Sequence, residues 1–163
     1  MKSKIIDCIT FFQENLMFKI RYEVLKDIVD YFVVCESIFD HKGRNKNLNF
    51  DKKLIKDQKI KYIIHQNNFN TSASVWQNQA EQRDFMLNSL KFVDDEDLIF
   101  FSDPDEIPNP EILKNFKLQK KYGIFFQQYF NYKFNLYNPH ESPWEGTRVC
   151  KKKNLKSIDF MRQ

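Results

Sequence analysis

KIIDCITFFQENLMFKIRYEVLKDIVDYFVVCES (residues 4–37) decides the fold class. Lys4 to Phe12 is an apolar run of strand length that ends at the polar pair Gln13-Glu14. From Glu14 to Ile28 the period changes. Leu16, Ile20, Val24 and Ile28 recur at helical spacing, which predicts an amphipathic helix with that face inward. Tyr31 to Cys35 is again an unbroken apolar run, closed by Glu36-Ser37. Strand, helix, strand is the unit of a parallel sheet, because parallel neighbours need a crossover of about a dozen residues or more.

The same alternation continues outward. Ile38 to Phe50 is polar, basic and contains Gly43, so it reads as a loop. Asp51 to Asp57 is expected to be a short helix and Lys59 to His65 a third strand. Ser74 is placed to cap a helix over Val75–Leu90. Asp97 to Phe101 reads as a fourth strand, followed by Ser102-Asp103-Pro104-Asp105-Glu106-Ile107-Pro108. A short helix is expected over Pro110–Phe116 and an aromatic strand over Gly123–Phe134. Tyr137 to Gly146 reads as a loop, Thr147–Lys151 as a last strand, and Asn154–Gln163 as the start of another element. Together these predict an α/β domain: a mostly parallel sheet with helices on both faces and ligands at the carboxyl ends of its strands.

Composition agrees with one packed domain. The chain has 163 residues, 42% hydrophobic and 16% aromatic, far from a disordered composition. Its 26 basic and 22 acidic side chains leave a net charge of +4. The lysines are scattered apart from Lys151-Lys152-Lys153, which argues against nucleic acid as a partner and leaves peripheral membrane contact open. Cys8, Cys35 and Cys150 lack metal-site or redox spacing and read as buried thiols. With no signal-peptide pattern and no segment of transmembrane length, the expected location is cytoplasmic.

Asp103-Pro104-Asp105-Glu106 carries the chemistry. Three acids in four positions at the edge of the core repel one another unless a cation or a set of donors compensates. Asp-x-Asp at a strand end can hold Mg²⁺ or Mn²⁺ while the metal also takes diphosphate oxygens. The same acids can instead form a solvated turn that caps the helix at Pro110.

The chain resembles glycosyltransferase family 17, the family of β-1,4-mannosyl-glycoprotein β-1,4-N-acetylglucosaminyltransferase. The likeness is carried by Asp7-Cys8-Ile9-Thr10-Phe11-Phe12-Gln13-Glu14, continuing to Ile20-Arg21 and Leu25, by Val29-Asp30-Tyr31-Phe32-Val33-Val34-Cys35-Glu36-Ser37 with Phe39, Gly43, Lys46 and Leu48 following, by Trp76 with Gln82-Arg83-Asp84, and by Ser102 to Pro108. Trp144-Glu145-Gly146-Thr147-Arg148-Val149 is a weaker fifth stretch. The resemblance implies a GT-A-like (Rossmann-like) fold, a UDP-sugar donor with UDP-N-acetylglucosamine as default, a divalent metal, and inversion at the anomeric carbon. It implies Asp103 and Asp105 as metal ligands and Lys46, Gln82 and Glu106 on the donor side, with Glu36 as an acceptor for the uracil or ribose and Arg83 as a contact of the donor diphosphate, for which a surface salt bridge with Asp84 or Glu81 is the alternative. Glu106 has a second reading, as an acceptor that orients a neighbour. Trp144 is a candidate for stacking on the acceptor or sugar, and packing over the core is its alternative. The acceptor would be a glycan or glycolipid.

Two positions depart from the family pattern: Gln13 stands where Asn is usual, and Glu145 where a small residue is expected. No general base is assigned. Family members extend further, so the domain is expected to be incomplete at its C-terminal side. Two other readings stay open: a nucleotide-sugar-binding module without efficient transfer, and a metal-dependent phosphohydrolase.

Overall fold

The computed structural model describes residues 3–70, 72–132 and 135–163. Six strands form one sheet: β1 (Ile5–Phe11), β2 (Tyr31–Ser37), β3 (Ile60–His65), β4 (Leu98–Phe101), β5 (Tyr122–Gln127) and β6 (Trp144–Lys151). Their spatial order is β3-β2-β1-β4-β6-β5. β1 pairs in parallel with β2 and β4, and β2 with β3, while β6 is antiparallel to both β4 and β5. Among the described residues four α-helices accompany the sheet: α1 (Asn15–Leu25), α2 (Val75–Phe85), α3 (Pro110–Lys114) and α4 (Ile158–Arg162). This is a mixed α/β fold with a central sheet and flanking helices, consistent with a GT-A-like arrangement. The chain builds outward from β1 to β2 and β3, then returns to β4 on the other side of β1. A crevice forms where the order reverses, outside the carboxyl ends of β1 and β4.

Strand alternation sorts the core into two layers. Ile5, Ile9 and Phe11 face Phe18 and Leu25 of α1 and Leu113 of α3. Ile6 and Cys8 face the opposite layer, which holds Met86, Leu90 and the α4 residues Ile158 and Met161. The three cysteines are free and buried. Burial pushes the Cys35 thiol up to about 12 and the Cys150 thiol up to about 11, so neither is a reactive thiolate at neutral pH. Among the described residues no helix is long and apolar enough to cross a membrane.

Several boundaries and one face differ from expectation. The inward face of α1 is Phe18, Arg21 and Leu25, while Leu16 is 74% exposed and Val24 is also exposed. The true stripe is spaced by three and then four residues, against four throughout in the expected one, and a charged residue occupies its centre. α2 stops at Phe85 and tightens into a 3₁₀ turn at Met86–Ser89. Its start is as expected: Ser74 and Gln77 form a reciprocal capping box. The Asp51–Asp57 segment yields only a 3₁₀ turn at Leu54–Lys56. β5 ends at Gln127, so the expected strand over Gly123–Phe134 is halved, and its last two residues lie outside the described set. β6 begins at Trp144, inside the segment expected to be a loop.

Truncation of Phe18 to Ala should therefore cost about 3–5 kcal/mol, and Leu16→Ala no more than about 0.5 kcal/mol. Urea denaturation of both variants checks this, and similar losses for the two would contradict the assigned face.

Candidate functional site

A cleft of about 380 Å³ opens at the carboxyl ends of the parallel strands. Thr10 at the end of β1 borders it with Phe12 and Glu14 just after, His41 and Lys46 come from the loop after β2, and Gln79 and Gln82 come from α2. Asp103, Pro104 and Asp105 border it after β4.

The loop after β4 is built around a buried arginine. Arg21 of α1 is fully buried and grips Asp7 of β1 with two hydrogen bonds, Nε to Oδ2 at 2.7 Å and Nη2 to Oδ1 at 2.6 Å. The same Nη2 donates to Ser102 Oγ at 2.6 Å. Nη1 donates to the carbonyl of Glu106 at 3.1 Å and lies 3.4 Å from that of Asp103. One side chain thus ties the centre of the sheet to both ends of the acidic turn.

Glu106 closes the turn from the other side. Its Oε2 accepts from the Asp103 amide at 3.1 Å. Its Oε1 accepts from Trp144 Nε1 at 2.7 Å and from Arg162 Nη2 at 2.8 Å. Both oxygens are occupied and the residue is buried, so its role is to orient the turn. Asp103 is partly exposed, with Arg162 Nη2 at 3.1 Å and Arg83 Nη2 at 3.9 Å. Asp105 is exposed, and among the described residues no salt bridge engages it.

The structure thus brings Asp103, Asp105, Lys46 and Gln82 to one cleft. Lys46 borders it while its Nζ donates to Glu36 at 2.6 Å. Gln82 is tied into the wall: Nε2 donates to the Cys35 carbonyl at 2.9 Å and Oε1 meets His41 Nε2 at 2.7 Å. That contact gives the ring proton to His41 Nε2.

Glu36, Arg83, Glu106 and Trp144 are outside the cleft lining. Glu36 requires a correction. It is fully buried, and its carboxylate accepts from Lys46, from the amides of Asn49 (2.7 Å) and Phe50 (3.1 Å), and from Tyr62 Oη (2.7 Å). No acceptor capacity is left for a uracil or ribose, so Glu36 anchors the loop after β2. Burial and the Glu36 carboxylate push the Tyr62 hydroxyl well up, which keeps it a donor. Arg83 is also inside the protein, against Asp159 (2.9 Å) and the Phe101 ring (5.5 Å), with its Nε lacking a partner among the described residues. Its salt-bridge partners are Asp159 and Asp103, not Asp84 or Glu81. Trp144 is exposed beside the turn.

Sequence reasoning gave Arg21 no role in the site and missed Arg162 and Gln79. Arg21 left a signal: a charge three residues after Phe18 and four before Leu25, on the same face as both. Arg162 left none. Gln79 Oε1 is buried at the cleft without a hydrogen-bond partner among the described residues.

Asp103 and Asp105 offer the oxygen donors a hard cation takes together with substrate phosphate. Among the described residues no three His, Cys, Asp or Glu side chains converge on one point. The protein side of such a site is therefore two carboxylates, which leaves the remaining positions to phosphate and water.

The model of glycosyltransferase family 17 matches residues 1–157. No curated protein matches the chain.

If Glu36 anchors a loop, Glu36→Gln should lower stability by about 3 kcal/mol, because Lys46 keeps its buried charge without a counter-ion. Denaturant midpoints test this. A loss below about 1 kcal/mol with weakened UDP binding would return Glu36 to the ligand.

Proposed function

The chain belongs to glycosyltransferase family 17, and from that premise we propose that the cleft binds a UDP-sugar for transfer to a glycan hydroxyl. The observation that carries the reading is the position of Asp103 and Asp105, both on the cleft lip on a turn held from two sides. The donor diphosphate sits at this turn, with a divalent cation, Mn²⁺ or Mg²⁺, held by Asp103 and Asp105. When bound, that ion supplies Lewis-acid stabilisation of the charge that develops on the departing UDP.

The chain's own residues do the rest. Arg21 and Glu106 fix the turn so that its carboxylates need little reorganisation when the donor arrives. Arg162 and Arg83 hold Asp103 in place. Lys46 stands on the cleft wall as the positive end of its pair with Glu36. The default donor is UDP-N-acetylglucosamine, transferred with inversion.

One observation favours a second reading, a nucleotide-sugar-binding module without efficient transfer. Arg162 already neutralises Asp103 from 3.1 Å, so a cation must compete for that carboxylate. Turnover separates the two: a transferase releases UDP from UDP-N-acetylglucosamine in Mn²⁺, and a module binds without release. Release of inorganic phosphate instead would point to phosphohydrolase chemistry.

Asp105→Ala is the cleanest variant, because Asp105 is exposed and its loss leaves Arg21, Glu106 and Arg162 in place. Calorimetry should show Mn²⁺-dependent UDP affinity falling at least about tenfold, roughly 1.4 kcal/mol. Affinity without metal should change little. Unchanged affinity in Mn²⁺ would remove the coordination claim.

A further inference from the structure

β3 is an edge strand. It stands at one end of the sheet, with β2 on its inner side. The amide of Phe32 donates to the carbonyl of Lys59, and that of Ile38 to the carbonyl of His65. Odd-numbered residues of β3 therefore bond inward to β2. In a parallel ladder the N–H and C=O of one residue point the same way, so Tyr62 and Ile64 point theirs outward. Among the described residues nothing beyond the sheet bonds to the backbone of either. An open edge of this kind is a template for one more strand, and folded proteins usually block it.

The edge runs along a groove of about 560 Å³. The groove wraps around the strand, because its walls come from both core layers. Ile60 and Tyr62 belong to the layer of α1, while Ile63 and Tyr31 belong to the opposite one. Ile55 and Phe92, 39% and 40% exposed, line it as well. Phe92 packs edge-on against Tyr31 with ring centroids 4.9 Å apart. The Lys61 ammonium lies over both rings, 5.3 Å from Tyr31 and 6.0 Å from Phe92.

Charge selects the occupant. Residues 52–65 hold five lysines and one acid, Asp57. Asp57 is already engaged by the Tyr22 hydroxyl and the Lys59 amide. Lys59 is turned inward and donates to the carbonyls of Lys26 and Val29. Lys52, Lys53 and Lys56 are exposed. Among the described residues neither they nor Lys61 have a salt-bridge partner. Pairing this edge with that of a second copy would set like charges against one another.

We infer that the β3 edge is a docking site for an extended acidic peptide segment of a partner protein, added to the sheet as an outer strand. The open backbone groups of Tyr62 and Ile64 pair with the peptide main chain. Alternate side chains of the peptide take the two walls, apolar ones on the side of Ile60 and carboxylates on the side of Lys61. A lipid surface or a nucleic acid matches the charge but not the ladder.

The test uses fluorescent peptides about eight residues long, enough to span β3, in which Glu alternates with Val, Ile or Phe. Control peptides carry Lys in place of Glu. Anisotropy measures binding to the full chain, and amide exchange followed by NMR reads the edge itself. At least one Glu peptide is expected to bind wild type and to slow exchange at Tyr62 and Ile64 at least about tenfold. Lys61→Glu should weaken that binding at least about tenfold and keep the wild-type circular dichroism. The assignment is overturned if no Glu peptide binds, if binding leaves those two amides exchanging as before, or if the Lys peptides bind wild type equally well. Equal binding by a folded Lys61→Glu also overturns it. Should that variant not fold, the exchange and control readings on wild type decide. Binding only to phosphatidylserine vesicles or to an RNA oligomer would give the lysines to another class of ligand. A wild-type dimer that protects the same amides would give the edge to a second copy. Each of these excludes the peptide.

Discussion

The structure depends on one buried ion pair. Arg21 and Asp7 are taken out of water together, and such a pair contributes little net stability over an apolar pair of the same shape. What it gives is position. The guanidinium has five donors in a fixed plane, and Asp7 occupies only two of them. The others are directed at Ser102 and at the carbonyls of the acidic turn. A hydrophobic residue at position 21 would fill the space and leave the turn without its inner anchor. The central strand and the first helix therefore set the geometry of a loop some eighty residues further along.

The same turn shows how the protein manages a dense cluster of acids. Three carboxylates in four residues suggest that a cation must be present. The structure supplies arginines instead: Arg21 under the turn, Arg162 against Asp103 and Glu106, and Arg83 behind Asp103. Glu106 is fully used in this network and Asp103 partly used, while Asp105 is left to the solvent. The turn can thus stay folded before any ligand arrives. A bound cation then has to share Asp103 with Arg162, which makes the two competitors for one carboxylate.

Much of the fold is legible in the sequence, for specific reasons. β1, β2 and β4 are mostly apolar because they are buried on both faces, with Asp7 the buried exception in the middle of β1, and the carboxylates directly after β4 locate the crevice. The inward face of α1 is not legible from apolar spacing, because Arg21 interrupts the stripe and Leu16 and Val24 imitate it. Beyond Gln127 the aromatic stretch keeps strand composition but leaves the sheet, with Phe130 and Tyr132 exposed. In the site, Asp103, Asp105, Lys46 and Gln82 could be gathered from motif and strand position. The burial of Glu36 could not be foreseen. Its donors come from residues 46 to 62, and nothing local marks a strand-end carboxylate as already saturated.

The central claim is that the turn after β4 places two carboxylates for a cation and a diphosphate. Its most direct test is a crystal structure with UDP and Mn²⁺, read by anomalous scattering at the manganese edge. The account predicts one peak between the carboxylates of Asp103 and Asp105, in contact with diphosphate oxygens, with the Arg21 bonds to the turn retained. Manganese bound elsewhere, or UDP seated away from the turn, would contradict it.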